Sequence, residues 1–181
     1  MADMAGGDAR LARREQRLMC DRCGEPGIGA HAVAMSERPA QRLSGRRWEG
    51  NYAQARAGAL RAVMDEVRAF SDRQPGLFRS PIVALTWNGE GERFRHFVGI
   101  ATDETPSGFD RLDLPGMLFA TSWHGPEDGD VAAHYGAIMG RLREDGLGHD
   151  RTIFDHREEY PPDADPDGPP ALRLMVPVLR D

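Results

Sequence analysis

The sequence predicts an α+β protein in which one β-α-β-β unit occurs twice. Two patterns carry that expectation. Apolar residues alternate at period two in short stretches and recur at helix spacing in longer ones. Breaks rich in Pro and Gly then set these stretches in the same order on both sides of a connector at Thr105–Pro115, TPSGFDRLDLP. A shorter echo agrees: the strand RHFVGIA (Arg95–Ala101) resembles RLMVPVL (Arg173–Leu179).

The first copy begins after Pro39. Gln41 to Gly50 reads as a strand. Tyr52 to Phe70 reads as a helix, with Leu60, Val63, Met64, Val67 and Phe70 on one stripe. Pro75-Gly76 ends it. Pro81 to Trp87 is a second strand, Asn88-Gly89 a turn signal, and Arg93 to Thr102 a third strand with Phe94, His96, Val98 and Ile100 on one face.

In the second copy, Met117 to His124 is a strand, and Asp130 caps a helix from Val131 to about Glu144. Val131, Tyr135, Ile138 and Leu142 form its stripe, and Gly146 and Gly148 end it. Arg151 to Tyr160 reads as the next strand, PPDADPDGPP (Pro161–Pro170) as a turn-rich loop, and Ala171 to Leu179 as the last strand. Residues 39–104 and 116–181 are thus two modules of one domain, related by a pseudo-twofold axis. Antiparallel sheets would carry helices on one face and a groove between the halves on the other, where a ligand pocket is expected.

Residues 1–38 read as a weakly ordered arm rich in Ala, Gly and Arg, with a short polar helix at Asp8–Met19 broken by Glu25–Gly29. Its CDRCG holds the only cysteines, Cys20 and Cys23. A zinc site needs four ligands and only His31 lies near, so reduced thiols in a cytosolic arm are the expectation, with no metal and no cofactor. With 181 residues the chain is long enough for one domain with a real core. The formal net charge of −6 argues against direct nucleic-acid binding. No apolar run is long enough to span a membrane, and the N-terminus lacks the apolar core of a secretory signal, so a cytoplasmic protein is expected. Arg42, Arg46 and Arg47 read as a solvated face. Phosphate-loop, dinucleotide-binding and serine-elbow motifs are absent from the sequence.

The stretch RTIFDHREEY carries the sharpest chemistry. Read as a strand, it places Thr152, Phe154, His156, Glu158 and Tyr160 on one face and Arg151, Ile153, Asp155, Arg157 and Glu159 on the other. The first face is aromatic with one carboxylate; the second suits water. An acid on a core-facing surface needs a partner. Glu158 therefore meets either a protein donor or a cationic ligand, and the residues leave both open. Trp87, Trp123 and Tyr160 are candidate stacking surfaces for a flat ligand, against the alternative of plain core packing. His124 and His156 are candidate proton shuttles or orienters of Glu158, and Trp48 is structural.

These residues resemble the GyrI-like small-molecule-binding domain, also met as the effector-binding domain of AraC- and MerR-type regulators. The matching pieces are the doubled β-α-β-β order, LPGMLFATSWHGPEDGDVAAHYGAI, the REEY stretch and the closing LRLMVPV. They cover about Pro39 to Asp181. The family's Glu-x-Tyr motif falls on Glu158 and Tyr160, and its terminal apolar-Pro-Val triplet on Val176-Pro177-Val178. The resemblance implies two SHS2-type modules around a central cleft that takes hydrophobic, often cationic, aromatic molecules, with the motif Glu facing the ligand. Some standalone members look like hydrolases that open cyclopropane rings of DNA-alkylating toxins; others bind drugs without turnover, and one branch restrains DNA gyrase. Two departures stand out: Arg157 occupies a position that is often aromatic, and a second acid, Glu159, follows the motif Glu. The expected function is therefore binding of flat, hydrophobic, cationic compounds by Glu158, Tyr160, Trp123, Trp87, Phe154 and His156. The alternatives are a cyclopropanoid hydrolase with Glu158 as its catalytic residue, and a protein-interaction module. A homodimer or a partner protein is compatible with each.

Overall fold

The computed structural model describes residues 32–76, 79–165 and 168–179. The expected N-terminal helix, Cys20, Cys23 and His31 lie outside them. The elements in chain order are β1 (Ala34–Arg38), β2 (Gln41–Asn51), α1 (Tyr52–Arg56), α2 (Ala59–Asp72), β3 (Ile82–Asn88), β4 (Arg93–Ala101), β5 (Asp110–Leu114), β6 (Met117–His124), α3 (Val131–Glu144), β7 (His156–Tyr160) and β8 (Leu172–Val178). Among the described residues, no helix is long and apolar enough to cross a membrane.

All eight strands join one antiparallel sheet in the order β1-β6-β8-β7-β3-β4-β2-β5. Exchanging β2 with β6, β3 with β7, β4 with β8 and β5 with β1 turns that order into its own reverse, which is the pseudo-twofold relation between the modules. The halves meet where β3 pairs with β7, Ala84 opposite Glu158.

Two strands were not anticipated. β1 falls in the segment read as a loose arm and pairs with β6. β5 falls in the connector and pairs with β2. Both are short edge strands with weak apolar alternation. The expected single helix is two, broken at Gly58, whose φ of 99° is a conformation open to glycine. A capping box between Asn51 and Gln54 starts α1, and the Asp130 carboxylate accepts from the Ala133 amide to start α3.

Each helix buries its stripe on its own half. Val67 and Phe70 of α2 pack on Ile82, Ala84, Val98 and Ile100. Ile138 and Leu142 of α3 pack on Ala120, Leu174 and Val176. Tyr160 touches both clusters. The opposite sheet face holds a third cluster drawn from both halves, including Leu43, Leu85, Phe97, Phe119, Phe154 and Met175. Only Pro39-Ala40 separate β1 from β2, and only Pro115-Gly116 separate β5 from β6. Two residues span less than about 10 Å, so strands far apart in the sheet order are drawn together and the sheet rolls around that third cluster.

This rolling overturns one expectation. The charged face of β7 is not wet: Arg157 is 2% exposed, Glu159 7% and Asp155 6%. Arg38 reaches across from β1 and grips Glu159 with two hydrogen bonds, Nε to Oε1 at 2.9 Å and NH2 to Oε2 at 2.8 Å. Arg157 donates to Glu159 Oε1 from Nε and NH2, at 3.1 and 2.8 Å, and to Gln41 Oε1 at 2.8 Å. Burial opposes ionisation of Glu159, but the Arg38 hydrogen bond and the charges of Arg157, Arg38 and Arg173 outweigh it and hold its pKa below the usual carboxylate value. A depressed native pKa contributes stability at neutral pH that is lost as pH falls through it.

Glu159→Gln leaves the Arg157 guanidinium buried without its counter-charge. The expected loss is about 3–5 kcal/mol in urea denaturation. Asp145→Asn, which removes the exposed Arg141–Asp145 pair, is expected to cost less than about 0.5 kcal/mol.

Candidate functional site

A concavity lies on the helix-bearing face, between α2 and α3, whereas the sequence places the groove on the face opposite the helices. It encloses about 710 Å³, within the range of small-molecule sites. Its floor is the seam of the two halves, where Thr86 of β3 and His156, Glu158 and Tyr160 of β7 present their side chains. Residues of α1, α2 and α3, with Ala164, Asp165, Gly168, Pro170 and Ala171, form its walls.

Glu158 is half-buried on that floor. Tyr160 donates its hydroxyl to Oε2 at 2.6 Å, and Tyr135 of α3 donates to Oε1 at 3.3 Å. Among the described residues no arginine, lysine or histidine forms an ion pair with it. Burial raises its pKa, and the two tyrosine hydrogen bonds only partly offset that shift. The same burial, joined by the neighbouring carboxylate, pushes both tyrosines well above their ordinary value, so they remain neutral donors. The His156 ring lies 4.6 Å from that of Tyr135. Burial, together with the nearby His149 and Arg151, holds its pKa below the ordinary value despite Asp155.

One wall is aromatic. Phe94 sits between Tyr52 at 4.9 Å and Trp48 at 5.1 Å, ring centre to ring centre. Tyr52 is 48% exposed. Gly50 permits this arrangement, because a Cβ there would lie 2.4 Å from the Trp48 ring. His96 continues the wall; burial lowers its pKa to about 4, which makes it neutral at pH 7. The cationic groups nearby are engaged elsewhere: Arg61 pairs with Asp65 at 3.3 Å, and Arg68 donates to the Ala164 carbonyl at 2.6 Å.

Of the six residues expected to bind ligand, Glu158, Tyr160 and His156 come together. Trp87, Trp123 and Phe154 do not join them. Phe154 is 1% exposed in the core behind the sheet, with its ring 6.2 Å from that of Phe119. The reason is local. Residues 150–155 are not strand: Asp150 accepts from the amide and hydroxyl of Thr152, and Asp155 accepts from the Asn88 amide and from Arg151. These side-chain bonds displace the ladder and break the alternation before His156. Trp87 lies behind the sheet, its indole donating to the Ile153 carbonyl and its ring lying 5.9 Å from the Arg95 guanidinium. It lines a separate cavity of about 420 Å³. Trp123 is half-buried and alternates with Ser122 and His124, which lie under α3, so it takes the opposite face. His124 is fully buried against His134, away from Glu158. The residues missed in the sequence are Tyr135, Tyr52 and Phe94. Tyr135 gave a usable signal, since a tyrosine on a core-facing stripe needs a partner for its hydroxyl.

Fold and cleft together define an α+β ligand-binding domain with a lone acid at the seam of two pseudo-symmetric halves. The GyrI-like small molecule binding domain matches residues 31–179, and the chain belongs to that family. Solved structures share the fold at low identity. One, SAV2435 bound to tetraphenylphosphonium, is 14% identical over 82% of this chain and 94% of its own, with a TM-score of 0.58. The EcmrR C-terminal domain is 15% identical over 83% and 99%, TM-score 0.60. A hydrolase from Listeria innocua is 10% identical over 91% and 98%, TM-score 0.55. No curated protein matches the chain.

The raised pKa of Glu158 sets a pH test. Affinity for a cationic dye is expected to rise with pH through that value and then level off, because only the carboxylate attracts the cation. In Glu158→Gln the rise should shrink to what His156 contributes as it loses its proton. A fluorescence titration across pH 4–8 checks both, and equal slopes in the two proteins would remove the carboxylate as the titrating group.

Proposed function

We propose that the cleft binds flat, hydrophobic cations, with Glu158 as the counter-charge. The observation that carries this reading is a desolvated carboxylate whose protein partners, Tyr135 and Tyr160, are neutral. A buried acid left with hydroxyl donors alone is costly, and a bound cation relieves that cost. Tyr52 and Phe94 offer the ring surface against which the ligand stacks. Tetraphenylphosphonium, held by a protein of the same fold, is a lipophilic aromatic cation, tetrahedral rather than flat, and supports the charge and apolar parts of the reading. Desolvated cation–ring contacts are worth about 2 kcal/mol.

Glu158→Gln is expected to weaken rhodamine 6G, a cationic dye, by roughly tenfold or more, on the order of 1.4 kcal/mol for each factor of ten. The neutral dye Nile red should change by less than about twofold, since Gln keeps the shape and a hydrogen-bonding end. Equal weakening of both dyes in fluorescence titrations would count against charge neutralisation.

A second reading has its own observation. A carboxyl with a raised pKa beside two hydroxyl donors in a half-closed cleft is suited to general base chemistry, and one neighbour of this fold is called a hydrolase. Here Glu158 would take a proton from water as its oxygen bonds to a ring carbon and one C–C bond of the strained ring breaks. The released electron pair passes to the ring's electron-withdrawing substituent, which accepts a hydrogen bond from Tyr135 or Tyr160 and then the proton held by Glu158. Incubation with a cyclopropane-bearing alkylator should then give ring-opened product by mass spectrometry, lost in Glu158→Gln. Product formed no faster than in buffer would leave binding alone.

A further inference from the structure

Outside the cleft, a group of ligating side chains among the described residues lies where β6 hands over to α3. His124 ends β6, Asp128 sits in the turn closed by its amide and the Gly125 carbonyl, and His134 follows in the first turns of α3. One donor atom from each lies within 4.8 Å of the others. Both histidines are fully buried, and their Nδ1 atoms face each other at 3.0 Å.

Two imidazole nitrogens at that distance either share one proton or direct both lone pairs at a cation. Sharing a proton leaves the pair incomplete. His134 Nε2 meets the Ser122 hydroxyl at 2.7 Å, but His124 Nε2 is buried with no hydrogen-bond partner. That nitrogen stays without a partner with an ion at Nδ1 as well, so the case for an ion rests on the convergence of three donor atoms, two of them on fully buried rings.

We propose that His124, Asp128 and His134 form a binding site for a divalent transition-metal ion of the zinc class. Two imidazoles and a carboxylate suit such ions, and three protein ligands leave a position for water or a further donor. The surroundings fit as well. Ser122 can accept from His134 Nε2–H, which turns Nδ1 toward the ion, and the Gly125 amide donates to Asp128 Oδ2 at 2.7 Å, which fixes the carboxylate while its other oxygen remains for the metal. The sequence suggests a metal only at Cys20 and Cys23 and none is expected there; His124, Asp128 and His134 stand four and six residues apart, and the fold closes them together. The ion would clamp the start of α3, whose Val131 and Tyr135 line the cleft.

The test uses the full chain, stripped with a chelator and titrated with Zn²⁺ by calorimetry and with Co²⁺ by visible absorption. Cys20 and Cys23 also offer ligands, so the titration is run in a Cys20→Ser/Cys23→Ser background. One equivalent of Zn²⁺ and a four- or five-coordinate Co²⁺ spectrum are expected there. Asp128→Asn should lower Zn²⁺ affinity at least tenfold, Ser122→Ala about tenfold, and His124→Ala should abolish the Co²⁺ spectrum. If His124→Ala fails to fold by circular dichroism, Asp128→Asn, in a turn, carries the test. Absence of binding in the cysteine-free background, or affinity unchanged by Asp128→Asn, would overturn the proposal.

Discussion

The pairing of β3 with β7 is the constraint on which the rest of the molecule depends. It joins two helix-bearing halves into one sheet and places β7 at the centre of that sheet, with β8 on its other side. Alternation along β7 then sends His156, Glu158 and Tyr160 to the helix side and Arg157 and Glu159 to the other. Because α2 and α3 each cover their own half, the helix side of the seam stays open. The cleft is thus the gap that two-fold duplication leaves over its own axis.

Two adjacent acids meet opposite fates there. Glu159 is buried with two guanidiniums and a satisfied hydrogen-bond network, and its charge holds the rolled sheet together. Glu158 accepts from two tyrosine hydroxyls and forms no ion pair among the described residues. The difference is one of partner supply. Arg38 and Gln41 flank the short β1–β2 link, which brings them to the back of β7, while the helix side offers Tyr135 and the β7 tyrosine.

Much of this was legible in the sequence. The strand Met117–His124 and the start of the helix at Val131 match the sequence to the residue, and the helix end falls at the expected place near Glu144, because alternation, the Asp130 cap and flanking glycines all agree there. The family resemblance and Glu158 also came from residue pattern. What failed did so for physical reasons. The strands β1 and β5 are short edges whose pairing depends on distant partners. Phe154 changed face because Asp150 and Asp155 tie up the preceding backbone, a competition that alternation does not register. The charges of Arg157 and Glu159 looked solvated because a sequence shows polarity but not the approach of Arg38 from another strand. Tyr135 was visible as an apolar stripe member, its hydroxyl partner being fixed only by tertiary packing.

The neighbouring positions of Glu158 and Glu159 make the molecule unusually sensitive to chain length just before His156. One extra residue there would move every side chain of β7 to the opposite face, turning Arg157 and Glu159 into the cleft and bringing Glu158 to the Arg38 side. The residues directly after Tyr160 lie outside the strand and bear no such phase constraint. Variation among relatives in insertions and deletions should therefore accumulate after Tyr160 and be excluded between Asp155 and His156.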